Sequence, residues 1–419
     1  MKNKKTILFV HQNFPAQYKH IAQAIAQNKK YDVHCLSQLN FDQDPKIKSH
    51  IYKLNKNSSD SINEWAIEFE TKMIRAEAAS KKALQMRENG IFPDLLMIHP
   101  GWGEGFFLKE IWPEAKVITY AEFYYKTTDC DIDFDISFIE NVLKKDFQNH
   151  HDYNKYKLTA RNAAFTHSYL SSDYLVCPTV FQKNVLPKLI QKNVNVIHDG
   201  IDTNLLKPNE NIEIKIRDKK LTKKDKIITY VSRALDPYRG YHIFMESLPG
   251  ILKDNPEAHV IIVGDETRHG YGAPHPDGIR YKDYYFSKIK DKIDIDRVFF
   301  VSRVSYDIFI KIIQISTAHV YLTYPFVLSW SMLEAMSCGA LIIGSNTGPV
   351  TEVIKHNKNG LIVDFFSKDE IIETVSKVLK NTNDYNKLRL NARKTIIDKY
   401  DLTTVCLPKH IALIEEALK

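Results

Sequence analysis

Tyr324-Pro-Phe-Val-Leu-Ser329-Trp-Ser-Met-Leu-Glu334-Ala-Met-Ser-Cys-Gly339 follows the apolar run His319-Val-Tyr-Leu-Thr-Tyr324, and its reading decides the fold. The run has the pattern of a buried strand, Pro325 ends it, and Ser329 or Ser331 can cap a helix that Gly339 terminates. Free N–H groups and the positive end of the helix dipole at such a start favour an anion, while Glu334, one turn further in, is placed to accept hydrogen bonds from sugar hydroxyls. A nucleoside diphosphate with its ribose satisfies both requirements. The competing reading is an ordinary buried strand and helix whose glutamate caps something internal.

The same alternation runs outward in both directions. Thr6-Ile-Leu-Phe-Val-His11 opens the chain as a strand, the turn Gln12-Asn-Phe-Pro-Ala16 follows, and a helix continues to about Gln27. This strand-loop-helix start lacks G-x-G-x-x-G, which argues against a nicotinamide cofactor. Further strands are expected at 94–98, 116–120, 174–177 and 194–197, and a second series at 227–231, 259–263, 298–301, 318–322 and 341–344. Ser61 to Arg87 reads as a helix whose apolar stripe (Ile62, Trp65, Phe69, Met73, Ala76, Ala83, Leu84) faces a core. Strands alternating with helices imply parallel sheets that bind ligands at the carboxyl ends of their strands. Between the two series, residues 204–226 are polar and lysine-rich and read as a solvated domain junction.

At 419 residues the chain exceeds what one core supports, so two domains are expected. The division is 1–203, with a C-terminal helix of about 402–419 packing back on it, and 204–401. Five scattered cysteines without a C-x-x-C indicate neither a disulfide framework nor a zinc site. His150-His151 reads as an isolated, exposed pair, and no Asp, His or Cys cluster has metal spacing, so no metal is expected. No apolar run reaches the roughly 18 residues of a membrane span, and Met1-Lys-Asn-Lys-Lys leads directly into a strand, so a cytoplasmic protein is expected. The net charge of +7 suits a phosphate-bearing substrate or peripheral contact with the inner face of a membrane, and no nucleic-acid-binding signature accompanies it.

Leu333-Glu-Ala-Met-Ser-Cys-Gly339, Leu341 to Ile354 and Asn359-Gly-Leu-Ile-Val-Asp364 resemble, in order and spacing, the last core blocks of the retaining glycosyltransferases of family 4. That resemblance extends over most of the chain. It implies the GT-B fold, an α/β architecture of two facing Rossmann-like domains with parallel sheets and an interdomain cleft. It also implies sugar transfer from a nucleoside-diphosphate donor to a glycan, lipid-linked or protein acceptor, with no required cofactor. The family usually carries a first glutamate eight positions before the second, where this chain has Phe326.

Residue by residue, Arg233 and Arg239 in Ser232-Arg-Ala-Leu-Asp-Pro-Tyr-Arg-Gly240 are similar to the family's Arg and Lys pair that stabilises the departing phosphate, with Arg able to grip it through two parallel hydrogen bonds. His99, directly after a strand and before Gly101, Gly103 and Gly105, matches the active-site histidine and is assigned to the donor sugar. Ser329, Trp330, Ser331 and Glu334 are assigned to the donor, as are Gly264 and Asp265 at a strand end and Arg303 and Val304 in the loop that resembles the base-reading loop. The irregular stretch 267–277 is a candidate cover for the donor. Phe14 and Glu122 are placed on the acceptor side. The alternatives are a non-catalytic GT-B subunit that binds nucleotide or glycan beside a partner enzyme, a nucleotide-sugar epimerase, or a phosphorylase. No acid and base pair identifies the epimerase, and no cofactor lysine identifies the phosphorylase.

Overall fold

A computed structural model describes residues 4–39, 44–265 and 270–419. The chain forms two compact units, one made of Met1–Thr128, Gln148–Gly200 and Thr403–Lys419, the other of Asp129–Phe147 and Ile201–Leu402.

The first unit holds seven strands: β1 (Lys5–Val10), β2 (Tyr31–Ser37), β3 (Ile47–Ile51), β4 (Leu95–Ile98), β5 (Lys116–Tyr120), β6 (Tyr174–Cys177) and β7 (Val194–Val196). They form one parallel sheet in the order β3-β2-β1-β4-β5-β6-β7. Helices cover both faces, which is why β1 is apolar at every position from Ile7 to Val10. Side chains alternate across the sheet: Ile7 and Phe9 pack with Ile21, Ile25, Leu413 and Ile414 on one face, Leu8 and Val10 with Ala79, Ala83 and Met86 on the other. Leu413 and Ile414 belong to the terminal helix Leu407–Ala417.

Three local expectations are corrected. The long helix runs Ile67–Glu88, and its buried side is Ile74, Ala76, Ala79, Ala83 and Met86, whereas Trp65 and Leu84 are exposed. Alanines form that side because small residues bring the helix close to the sheet. His151 is buried, its Nε2 2.9 Å from the Thr127 carbonyl oxygen. Strands β2 and β3 lie in what the sequence left unassigned, because Asp32 and His34 interrupt the apolar run of β2 and β3 is a partly exposed edge. Lys48 and His34 both bond Asp32, tying the two strands together.

In the second unit β8 (Glu213–Ile216) and β9 (Lys219–Thr222) form an antiparallel hairpin, and β10 (Ile227–Ala234), β11 (His259–Asp265), β12 (Val298–Val301), β13 (Ala318–Tyr321), β14 (Leu341–Ser345) and β15 (Leu361–Val363) form a parallel sheet. Its order is β12-β11-β10-β13-β14-β15. The hairpin corrects the expectation of a loop over 204–226: Ile214, Ile216 and Leu221 pack on Ile227, Ile261 and Phe299, while the intervening lysines stay outside. The period of two was there, masked by its charge.

Residues 129–147 belong to this second unit. Asp135 caps the helix Ile136–Asn141 through the Phe138 N–H, and its other oxygen accepts from Tyr324 Oη at 2.8 Å and lies 2.9 Å from His242 Nε2. Phe134 packs among Tyr324, Phe365 and Phe366. All five cysteines are free and buried. Among the described residues no helix is long and apolar enough to cross a membrane.

Two predictions follow from this packing. Gly240 has φ +67°, and a Cβ there would lie 2.3 Å from Leu322 Cβ, so Gly240→Ala should lower the unfolding free energy by about 2 to 4 kcal/mol in urea titration of the whole chain. Burial depresses His198 to about 3 and both His319 and His410 to about 4, from 6.5. The unfolded chain therefore binds more protons below pH 6.5, and stability present above that pH is lost as pH falls towards 4. Each group adds a slope of up to about 1.4 kcal/mol per pH unit, and His319→Gln should remove one proton from the slope measured by urea titration across this range.

Candidate functional site

Each parallel sheet reverses its strand order near the middle, at β1/β4 in one unit and β10/β13 in the other. Loops leaving the strand ends on either side of such a point diverge and leave room for a ligand. The candidate residues lie at these two places.

In the second unit, the ends of β10, β11 and β12 line a cavity of about 290 Å³. Arg233, Gly264, Asp265, Arg303 and Val304 all stand on its wall, together with Tyr306. Gly264 is required by close approach: a Cβ there would meet Leu235 Cδ2 at 2.5 Å and the Ser232 carbonyl oxygen at 3.2 Å. Arg233 and Arg303 are exposed, and neither has an ion-pair partner among the described residues. Two guanidinium groups and the Asp265 carboxylate thus share one cavity, a lining of net positive charge that favours an anion.

Arg239 lies elsewhere. It is 6% exposed, and its Nη1 donates to Val327 O at 2.8 Å, Thr323 Oγ1 at 2.9 Å and Tyr321 Oη at 3.4 Å. Tyr271 and Phe326 flank it, their ring centroids 5.2 and 5.9 Å from its Cζ. Phe326 thus packs against a cation at the position where the resemblance leads one to expect a carboxylate. The two arginines do not share the cavity, and Arg239 instead holds the turn between β13 and the helix Trp330–Ser337. Tyr321 links them, since its hydroxyl oxygen also accepts the Ser329 N–H at 2.9 Å. Asp236 Oδ1 and Oδ2 accept the N–H groups of Arg239 and Tyr271, and burial pushes this carboxyl up to about 6.

Ser329 caps the helix as the sequence implies, its Oγ accepting from the Ser331 N–H. Trp330 is half-buried, and Ser331 and Glu334 are buried. Glu334 Oε1 accepts from Tyr306 Oη at 2.6 Å, so the helix and the cavity wall meet through that pair. Of the stretch 267–277, residues 267–269 lie outside the described residues, while Tyr271 is the part that reaches Arg239.

In the first unit the register places β1 beside β4 and β4 beside β5, so His11, His99 and Glu122 emerge together. The Gly101 N–H donates to His99 Nδ1, which leaves the proton on Nε2, 3.3 Å from Glu122 Oε2. Similarly the Asn13 N–H donates to His11 Nδ1, so Nε2–H donates to Gln17 Oε1 and Gln17 Nε2 donates to Glu122 Oε1, each step at 2.9 to 3.0 Å. The Gln17 amide thus donates to one partly exposed carboxylate, which His99 Nε2 approaches without a hydrogen bond. Burial, and then His99, hold His11 near 3, so it stays neutral. Trp102 packs 4.8 Å from the His11 ring and 5.0 Å from that of His99.

Phe14 does not join this group. It is 1% exposed and packs on Phe9, so it is a core side chain, a correction to its acceptor-side assignment. The sequence missed Tyr306, Tyr321, Thr323, His11 and Gln17. His11, the last residue of an apolar strand-like run, carried a signal of the same kind as His99, whereas Tyr306 follows an irregular loop and carried none.

Comparison with known proteins also divides the chain shortly after residue 200. A family model described as "Glycosyl transferase family 4 group" matches residues 29–206, and one described as "Glycosyl transferases group 1" matches residues 211–395. Spore coat protein SA of Bacillus subtilis (strain 168) is 28% identical over 178 residues, 40% of this chain and 43% of that protein. The chain spans about half the length, or less, of the curated relatives it matches first. Sucrose-phosphate synthase from Thermosynechococcus elongatus superposes with a TM-score of 0.70 at 14% identity, over 99% of both chains. Anabaena Alr3699/HepE, solved in complex with UDP, superposes with a TM-score of 0.66 at 15% identity, over 98% of this chain and 100% of that one. At these identities the likeness is one of fold, and the fold is GT-B. The two family models between them account for most of both parallel-sheet units, and the chain belongs to the group 1, family 4 glycosyl transferases.

Proposed function

We propose that the protein is a retaining glycosyltransferase that takes a sugar from a nucleoside diphosphate and delivers it to a glycan, lipid-linked or protein acceptor, in building a bacterial surface polysaccharide. The observation that carries this reading is the cavity at the strand ends of the second unit, with Arg233 and Arg303 exposed on its wall and the buried Glu334 tied to that wall through Tyr306. Anabaena Alr3699/HepE, which shares the fold, was solved with UDP and with UDP-glucose, and this supports a nucleotide sugar as ligand.

In this reading Arg233 and Arg303 face the diphosphate, and Arg233 neutralises the charge that builds on it as the glycosidic bond breaks. Glu334 accepts from the ribose. Arg239 contributes through the loop it holds, keeping the Ser329 to Ser331 turn in place beneath the phosphates. In the first unit Glu122, held by Gln17, is an acceptor for a hydroxyl-bearing ligand. In the reaction the acceptor's hydroxyl attacks the sugar on the face the diphosphate leaves, and its proton goes to the departing phosphate oxygen. No resident cofactor or metal is called on, and a cytoplasmic location beside the membrane carrying the acceptor suits the reading.

The alternative, a non-catalytic subunit, draws on Phe326, which packs against Arg239 where the family pattern has a carboxylate. Turnover separates the two: the reading above expects product of unchanged anomeric configuration, and donor binding without turnover across an acceptor panel would favour the subunit.

A thermal-shift screen with UDP, GDP, ADP, CMP and dTDP sugars should give one clear stabilising donor, because a ligand that binds only the folded state raises the melting temperature. No shift from any of them at millimolar concentration would sink the donor site. With that donor, Arg233→Ala should weaken binding on the order of 10- to 100-fold at unchanged stability, the scale of one charge-assisted contact to phosphate. Arg239→Ala should lower the melting temperature of the free protein as well, costing about 2 to 4 kcal/mol, because the Thr323 and Val327 oxygens lose a buried donor.

A further inference from the structure

Tyr306 is the first residue of the helix Tyr306–Ile315, and its two ends have different surroundings. As a whole it is 45% exposed, with its ring on the wall of the nucleotide-side cavity. Its hydroxyl is turned inward and donates at 2.6 Å to Glu334 Oε1, on a side chain only 7% exposed. That short bond to a carboxylate is charge-assisted, and burial together with Glu334 pushes the phenol well above its ordinary pKa, so it keeps its proton. Phe309, one helical turn on, lies nearly parallel to the ring at 5.8 Å and also lines the cavity, so it supports the ring from one side.

A carboxylate that must meet a sugar hydroxyl has to be held in one rotamer, and free rotation of a glutamate about three bonds works against this. The Tyr306 hydroxyl supplies that restraint from the cavity side. The flat face of the same side chain is a surface on which a planar base can lie, and such stacking does not discriminate strongly between bases.

We propose that Tyr306 is a positioning residue of the donor site: its hydroxyl orients Glu334 towards the ribose of a ribonucleoside diphosphate, and its ring forms the wall against which the nucleoside packs. This rests on the donor-site reading above and adds to it a residue that the sequence motifs do not mark.

The test is calorimetric titration of the full-length protein with UDP, GDP and ADP. The proteins are wild type, Tyr306→Phe, Tyr306→Leu, Glu334→Gln and the Tyr306→Phe/Glu334→Gln double variant, with melting temperatures recorded without ligand. For the nucleotide that binds wild type most tightly, Tyr306→Phe should weaken binding about fivefold or more, as expected for one lost charge-assisted hydrogen bond. Tyr306→Leu should weaken it further, because the ring is lost too. The double variant should bind no worse than Glu334→Gln alone, since the hydroxyl acts through that carboxylate. A merely structural tyrosine would lower melting temperatures without this non-additivity. Wild-type affinity in Tyr306→Phe, or losses in the two single variants that multiply in the double, overturns the proposal while leaving the donor site standing. If none of the three nucleotides binds wild type, the proposal falls, and the donor-site reading falls with it only where the full five-donor thermal-shift screen is also silent.

Discussion

The burial of Arg239 is the constraint around which the second unit's site is arranged. A guanidinium group that is 6% exposed needs acceptors, and this one finds them in Thr323, Val327 and Tyr321, all within or just before the turn that joins β13 to the helix beginning at Trp330. Because Tyr321 also receives the Ser329 N–H, the same cation fixes the end of the strand and the start of the helix. Tyr271 and Phe326 close the remaining sides with aromatic rings, which keep water away and add cation–π attraction. The turn that the sequence marks as an anion site is thus held from behind by a positive charge, while Arg233 and Arg303 stand on the cavity itself.

The two units solve the same problem with different materials. Both place their polar residues where a parallel sheet reverses its strand order, since only there do loops part without breaking a ladder. The second unit uses cations and a helix start, suited to phosphate. The first uses imidazoles, a carboxamide and one carboxylate, suited to hydroxyl groups. His11 and His99 lie with ring centroids 4.9 Å apart, a spacing compatible with burial because both nitrogens that face the backbone accept from main-chain N–H groups.

Much of this was legible before any coordinates. The central strands of both sheets show as short apolar runs because helices cover both of their faces, and His99, Arg233, Gly264, Asp265, Arg303 and Glu334 could be placed from the strands and turns beside them. What escaped follows a physical pattern. The edge strands β2 and β3 carry Asp32, His34 and Lys48, which pair with one another and so look polar in sequence although the strands are ordered. The hairpin at 213–222 hides its isoleucines between lysines. Arg239 reads as a phosphate ligand because sequence reports charge and spacing but not whether a side chain turns inward. Phe14 sits in a loop by its neighbours yet is core, because Phe9 lies within reach of it. Likewise the packing of residues 129–147 in the second unit depends on Asp135 meeting His242 and Tyr324, partners more than a hundred positions away.

The histidine pair at β1 and β4 has one more implication. Which nitrogen bears hydrogen is dictated on both rings by main-chain amides, those of Asn13 and Gly101, rather than by neighbouring side chains. Polarity along the chain ending at Glu122 is therefore written into the path of the backbone. Replacing surrounding side chains can loosen that path or tighten it, but inverting the direction in which hydrogens point would demand rebuilding the two loops, so this half of the molecule can diversify the rim around Glu122 while its electrical orientation stays the same.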